Sequence, residues 1–251
     1  MRTTTLVDGA VNFRDLGGCV SRSGRAMRSG LVYRSGSMHA ISAAGMRTMR
    51  ELGLRAAFDL RSNSERAGRP TILPEDGSVA YHFYDHDRKT GNLFRALGDT
   101  GKSAQDGRAL MIGIYRKLPY DLAEPYRELM RRIIEEPLPL VFNCAAGKDR
   151  AGTAAALILS ALGVPREIVI EDYVLTDRVV DLESIFMATA HKSALMNAPG
   201  VVAAVLRSDP SYLHAALDAV EEKHGTVAGY LRDALGITEE ASSTIRQSLL
   251  E

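Results

Sequence analysis

The sequence predicts an α/β fold built on a parallel sheet, with a helical C-terminal part from about residue 195 onward. Three observations predict it. Short apolar runs at Leu31-Val32-Tyr33, Arg55 to Leu60, Val79 to Tyr84 and Leu138 to Phe142 read as strands. Helix-period patterns fall between and after them. Strands separated by helical stretches pair in parallel through crossover connections, and ligands then bind at the carboxyl ends of those strands.

In order along the chain, residues 12–18 read as a loop closing in the Gly17-Gly18 turn. The Leu31-Val32-Tyr33 strand leads into Arg34-Ser35-Gly36. Ser42 is placed to N-cap a helix over 43–52 with Met46, Met49 and Leu52 on one face and Gly53 ending it. Arg55 to Leu60 forms the next strand, with Asp59, Arg61 and Glu65 at its end. Residues 67–78, rich in Gly, Pro and acidic groups, form a surface loop before the strand at 79–84. Residues 85–107 are polar and weakly periodic, a candidate mobile flap or insertion, with a flap or lid reaching to 120. A helix over 121–135 places Leu122, Tyr126, Leu129, Met130 and Ile133 on one stripe, with Arg127, Arg131 and Arg132 on the solvated face. A small-residue helix runs from Thr153 to Leu162, and Pro165 opens another reaching toward Lys192. Helices at 211–223, 226–235 and 239–250 complete the chain. Leu213, Ala216, Leu217 and Val220 stripe the first of these, and Thr238 caps the last. Without repeats or linkers, residues 1–251 read as a single domain.

Composition narrows the function. The 251 residues carry 31 basic and 31 acidic side chains, so no global field points to nucleic acid or to an anionic membrane. Any anion selectivity must be local. Two cysteines are too few for a disulfide scaffold. Met1 to Asp8 lacks a signal-peptide core, and the longest apolar stretch, Thr153 to Val164, is too short to span a bilayer. A cytoplasmic setting is expected, with secretion by a non-classical route left open.

The chemistry concentrates between Cys144 and Arg150. An apolar strand ends at Phe142 and a helix follows, so Asn143-Cys144-Ala145-Ala146-Gly147-Lys148-Asp149-Arg150 puts a thiol at a strand end and a guanidinium at a helix start. The peptide units between them can form a cup of N–H groups that holds a tetrahedral oxyanion. Arg150 adds a planar fork for two phosphate oxygens, and a thiolate at Cys144 is the nucleophile. The pattern reads as a cysteine-dependent phosphatase site. It is not a nucleotide-triphosphate loop, because Phe142 and Asp149 stand where that pattern needs Gly and Ser or Thr. No metal or organic cofactor is required, and His82 and His86 lack a further ligand pattern. Cys19, in a turn, reads as structural.

The chain resembles the bacterial and fungal tyrosine phosphatases of the kind secreted by mycobacteria, with atypical dual and lipid specificity. The resemblance rests on residues 12–18, Arg34-Ser35-Gly36, Asp59-Leu60-Arg61 with Glu65, Cys144 to Arg150, and Asp172-Tyr173-Val174-Leu175-Thr176. It implies a cysteine-phosphatase-like fold, a central, mostly parallel sheet flanked by helices with helical lid elements. It further implies that Cys144 forms a phosphocysteine, that Arg150 with Ala145, Ala146, Gly147 and Lys148 binds the phosphoryl group, and that Asp149 is the general acid. Lys148 matches a basic residue linked with phosphoinositide acceptance. Asp59, Asp85 and Asp87 compete with Asp149, since an acid must protonate the leaving oxygen. Arg14, Asp15, Arg34 and Arg61 read as loop braces. The expected substrate is protein phosphotyrosine, with phosphoserine/threonine or a phosphoinositide as further candidates.

Two positions depart from the family pattern: Asn143 stands where His is usual, and Ala151 where Thr or Ser is usual. Both predict weaker turnover, with slow hydrolysis of the phosphocysteine unless Thr153 substitutes. An alternative of another class is a phosphate-binding adaptor that turns over negligibly. A third, thiol redox or arsenate reduction, needs Cys19 as the resolving thiol.

Overall fold

The computed structural model describes residues 7–87, 103–183 and 198–251. Its centre is a five-stranded sheet of order β1-β2-β5-β3-β4. The strands are β1 (Arg14–Asp15), β2 (Val32–Ser35), β3 (Ala56–Asp59), β4 (Ala80–Phe83) and β5 (Leu140–Asn143). β2, β5, β3 and β4 run parallel, and β1 pairs antiparallel with β2. Phe58, Leu140 and Phe142 belong to one buried cluster, whereas Tyr33, Ala57 and Val141 belong to a second. Such alternation is what a sheet covered on both faces requires. Register aligns Ser35, Asn143 and Asp59 at the carboxyl edge. Cys144 follows directly on the middle strand.

The helices are α1 (Ala43–Glu51), α2 (Asn63–Gly68), α3 (Ala104–Asp121), α4 (Ala123–Glu135), α5 (Asp149–Ala161), α6 (Arg166–Val174) and α7 (Thr176–Val179). They continue with α8 (Pro199–Leu206), α9 (Pro210–His224), α10 (Val227–Asp233) and α11 (Glu239–Leu249). Ser42 caps α1 as expected, its hydroxyl accepting from the Ala44 and Gly45 N–H groups. The α4 stripe Tyr126, Leu129, Met130 and Ile133 is buried, and Arg127, Arg131 and Arg132 on its outer face pair with Glu124, Glu128, Glu135 and Glu136. α5 is buried on almost every side, which its run of Ala and Gly allows. Among the described residues no helix is long and apolar enough to cross a membrane.

Four expectations change. Residues 12–18 are not all loop, since Arg14 and Asp15 pair with Arg34 and Tyr33 as β1. The flap expected over 85–120 fails from Ala104 on, where α3 buries Met111, Tyr115 and Leu118 in the main core; residues 88–102 lie outside the described residues. Gly107, Gly113 and Pro119 disguised this helix. Gly107 serves close packing, because a Cβ there would stand 2.8 Å from the Val201 carbonyl oxygen of α8. A capping box between Ser103 and Asp106 starts the helix. The helix expected from Pro165 toward Lys192 is broken: Pro165 is its N-cap, α6 ends at Val174, and α7 stops at Val179. Val180 is extended (φ −136°, ψ 127°), in line with the stiff χ1 of adjacent valines; residues 184–192 lie outside the described residues. Finally, the site helix starts at Asp149, not Thr153, so Asp149 and Arg150 occupy its first turn.

Candidate active site

β5 ends at Asn143 and α5 begins at Asp149, so Cys144 to Lys148 form the connection. Cys144 is buried with a free thiol, and its N–H donates to the Ser35 carbonyl at 3.3 Å. The next three carbonyls each meet a donor of the surrounding scaffold. Ser37 N–H donates to Ala145 at 2.8 Å, the Asn12 amide to Ala146 at 3.3 Å, and Arg34 Nη2 to Gly147 at 2.7 Å. A trans peptide points its N–H opposite to its carbonyl, so the N–H groups of Ala146, Gly147 and Lys148 turn the other way. Joined by the first-turn N–H groups of α5, which have no partner within the helix, they line a cup suited to an oxyanion. Gly147 makes the bend at φ +72°, where a Cβ would stand 2.7 Å from Gly36 N. Gly152, one turn on, clears the Tyr173 ring, which a Cβ would approach to 3.0 Å.

The braces around this loop come from the other sequence blocks. Arg34 is fully buried and donates Nη1 to Asp172 Oδ2 at 2.6 Å while Nη2 holds Gly147. Arg14 donates to the Asp172 carbonyl at 3.0 Å and to Thr176 Oγ1 at 3.2 Å, and also to Asn12 Oδ1. Asn12 is thereby fixed while it holds Ala146. Asp15 accepts from Gly17 N–H at 2.8 Å and Gly30 N–H at 2.6 Å, closing the turn between β1 and β2. Residues 12–18, 34–36 and 172–176 thus converge on one loop. Buried charges of this kind are tolerated because each is paired and hydrogen-bonded.

Arg150 is buried and forks onto Glu65 of α2, with Nη1–Oε2 at 2.6 Å and Nη2–Oε1 at 2.7 Å. Burial opposes the Glu65 charge, but hydrogen bonds and charge from Arg150 outweigh it and pull the carboxyl down to about 2. The same pair raises Arg150 against its own burial. Asp149 is one-third exposed, its Oδ1 accepting from Tyr115 O–H at 2.7 Å and lying 3.3 Å from Lys148 Nζ. Lys148 is buried, and its ammonium donates to the Val205 and Arg207 carbonyls at the C-terminus of α8, where a cation complements the helix dipole. It sits at the junction between loop and α8, not in solvent.

Of the other candidate carboxylates, Asp59 sits beside Asn143 in the sheet register but is held by partners of its own. Asp59 is buried at the end of β3, and Arg61, Thr71 and Tyr81 all donate to it. Burial works against its charge, yet the Arg61 contacts prevail and hold it below the usual range. Asp85 is 80% exposed and pairs at 3.4 Å with Arg66; Asp87 is exposed as well. His82 meets Glu136 at 3.2 Å, while His86 is buried and lowered by that burial and by the Arg150 charge. Among the described residues no group of three His, Cys, Asp or Glu side chains could hold a metal ion.

The two departures also have a setting. Asn143 is fully buried, and both atoms of its amide lack a hydrogen-bond partner among the described residues. Strand alternation puts it on the Val141 face, opposite Phe142. Ala151 is buried, and Thr153 lies inside α5. Cys19 is buried, and no disulfide joins it to Cys144.

Sequence reasoning missed the partners more than the principals. Glu65 was visible in a motif without a role, and Tyr115 gave no signal, because its partner lies on another element 34 residues away.

Comparison with known proteins identifies the family. The model of a tyrosine phosphatase family matches residues 5–251. A protein of Cupriavidus necator whose name proposes it as a tyrosine-protein phosphatase is 33% identical over 233 residues, spanning 90% of this chain and 82% of its own. The triple specificity protein phosphatase PtpB of Mycobacterium tuberculosis is 29% identical over 278 residues, spanning 96% and 97%. The crystal structure of P. aeruginosa TpbA aligns over 76% of this chain and 94% of its own at 15% identity and a TM-score of 0.36, too loose a likeness to bear on mechanism or substrate.

Proposed function

The chain belongs to the tyrosine phosphatase family, and we propose that it hydrolyses protein phosphotyrosine through a phosphocysteine on Cys144. In the first step the Cys144 thiolate attacks phosphorus in line, an S–P bond forms, and the P–O bond to the tyrosyl oxygen breaks. Asp149 gives that oxygen its proton, because a phenolate leaves poorly without one. Arg150 and the N–H groups of the loop hold the non-bridging oxygens, where charge must be stabilised as the phosphoryl group passes across. In the second step water attacks phosphorus, Asp149 takes its proton, and inorganic phosphate leaves the regenerated thiolate. Cysteine, aspartate, arginine and backbone dipoles supply every role, so no cofactor enters.

The observation that carries this reading is the set of outward carbonyls at Ala145, Ala146 and Gly147, each drawn to a scaffold donor. It commits the loop to presenting N–H groups beside Cys144. Hydrolysis of an aryl phosphate without added metal tests it. Cys144→Ser is expected to abolish turnover and Cys144 to be phosphorylated in acid-quenched samples; undiminished turnover by the variant overturns the mechanism.

Phosphotyrosine stands first among substrates because Lys148 is committed to the α8 carbonyls and would have to release them to meet an inositol phosphate. The triple specificity for which PtpB is named supports testing a wider range, phosphoserine/threonine and phosphoinositides included. A panel of phosphopeptides against phosphoinositides decides. The reading of a phosphate-binding adaptor draws on one observation, the buried Ala151 with no hydroxyl to assist the departing thiolate. A phosphocysteine that forms and then persists through many turnover times would favour it. Two cysteines with no disulfide between them suit a reducing cytoplasm.

A further inference from the structure

We propose that Tyr115 is a positioning residue for this reaction, fixing the Asp149 carboxyl so that Oδ2 alone faces the leaving oxygen; the assignment rests on the reading of Asp149 as acid and base. Tyr115 lies on α3, wholly buried, with its ring edge-on to Tyr173 at 6.0 Å and tilted against Tyr212 at 5.7 Å. The ring cannot turn without displacing both. Its hydroxyl donates to Asp149 Oδ1 at 2.7 Å, and the Tyr173 hydroxyl lies 2.7 Å from the Tyr115 oxygen. A hydroxyl has one proton to give, so with that of Tyr115 on Asp149, that of Tyr173 points at Tyr115. Burial, and then the charge of Asp149, push both phenols well above their ordinary 10.0, so neither proton is lost in the working range. The chain Tyr173 to Tyr115 to Asp149 therefore runs in one direction and each bond polarises the next.

Its consequence is an asymmetric carboxyl. Lys148 Nζ also approaches Oδ1, at 3.3 Å, while Oδ2 takes no hydrogen bond from any described residue. The charged and titratable groups around Asp149 are Lys148 and Arg150 beside it in the chain, Tyr115 from α3, Tyr173 from α6 and Tyr212 from α9. A carboxyl protonated on Oδ2 still accepts at Oδ1, so the Tyr115 bond survives in both states and the same oxygen serves both steps. Without it, a partly exposed aspartate in a first helical turn is free to rotate and to bond its own helix N–H groups. Loss of orientation of this kind costs about 10- to 100-fold in rate.

The test compares kcat/KM for phenyl phosphate, whose phenol leaves poorly, with that for 4-nitrophenyl phosphate, whose phenol leaves well. This ratio reports steps through the first phosphoryl transfer, so a slow second step does not mask it. Tyr115→Phe is expected to lose about 10-fold or more on phenyl phosphate and only a few-fold on the nitrophenyl ester. On an Asp149→Asn background the same substitution is expected to change neither by more than about two-fold, since the group it positions is gone. Equal losses on both esters, or an undiminished loss on the Asp149→Asn background, overturn the proposal and leave Tyr115 a packing residue. Asp149→Asn alone separates the two levels. If it fails to discriminate between the esters, the assignment of Asp149 falls and that of Tyr115 with it; if it discriminates and Tyr115→Phe does not, only Tyr115 falls. Tyr173→Phe keeps the first donor and is expected to show the same selectivity more weakly, whereas no selectivity in either tyrosine variant counts against the relay.

Discussion

Glu65 closes a capping box with Ser62 at the start of α2 and forks onto Arg150 with the same carboxylate. A carboxyl held at about 2 when folded, against a usual 4.5, contributes stability that is whole above about 4.5 and lost as pH falls through about 2. Glu65→Gln is therefore predicted to flatten the acid limb of a melting curve in that window. It should also lower kcat/KM for aryl phosphates by about 10- to 100-fold, because the Arg150 fork loses its guide. An unchanged acid limb would contradict the pairing. Gly147→Ala forces a side chain into a left-handed bend against Gly36, so a loss of about 1–3 kcal/mol in denaturant unfolding is expected. Inhibition by vanadate, an oxyanion, should weaken in parallel. At this scale the sequence reveals residues that are neighbours in the chain: Cys144 and Arg150 announce themselves by spacing. It hides Glu65, because 85 residues separate it from Arg150 and only folding supplies the contact.

The elements divide along similar lines. β2, β3 and β5 were legible because buried strands are short apolar runs, and α4 and α9 because one face of each is apolar. α3 was not, since its glycines and proline argue against a helix in isolation, and for Gly107 the reason is α8 lying against it. α6 was legible as a helix but not as a strut, because the value of Asp172 depends on Arg34 and Arg14 arriving from β2 and β1. Asp172→Asn leaves those buried guanidinium groups short of an anion and is predicted to cost about 3–5 kcal/mol. Urea unfolding measures it. A loss below about 1 kcal/mol would mean that α6 is held by its apolar packing alone. Because Arg34 also grips Gly147, the variant should lose phosphatase activity at urea concentrations where its far-ultraviolet circular dichroism is still native.

For the molecule as a whole, balanced charge leaves stability to the buried groups. His39, His82 and His86 are each lowered from 6.5, chiefly because burial disfavours the cation. Between the lowered values and 6.5 the unfolded chain binds more protons, so stability rises with pH there. The same sign holds for Asp59 and Glu65 at lower pH, where arginine contacts outweigh burial. Tyr33, Tyr115, Tyr126 and Tyr173 are raised from 10.0 by burial, so above that pH the folded chain keeps protons that the unfolded chain releases. Stability then falls. A Tm plateau from about pH 7 to about pH 10, dropping on both sides, is predicted; a Tm still climbing above pH 10 would refute it.

The strand order has a further meaning for how the protein comes into being. β5 lies between β2 and β3 although it is made after both. Until residue 143 has emerged from the ribosome, β2 and β3 each present a bare inner edge, the kind that recruits other chains. The thiol follows that strand by one residue, and its anion cup needs Asn12, Arg34 and Ser37 already in place. Newborn chains should thus pass from sticky and inert to closed and active in a single late event, and chains truncated before residue 140 should aggregate.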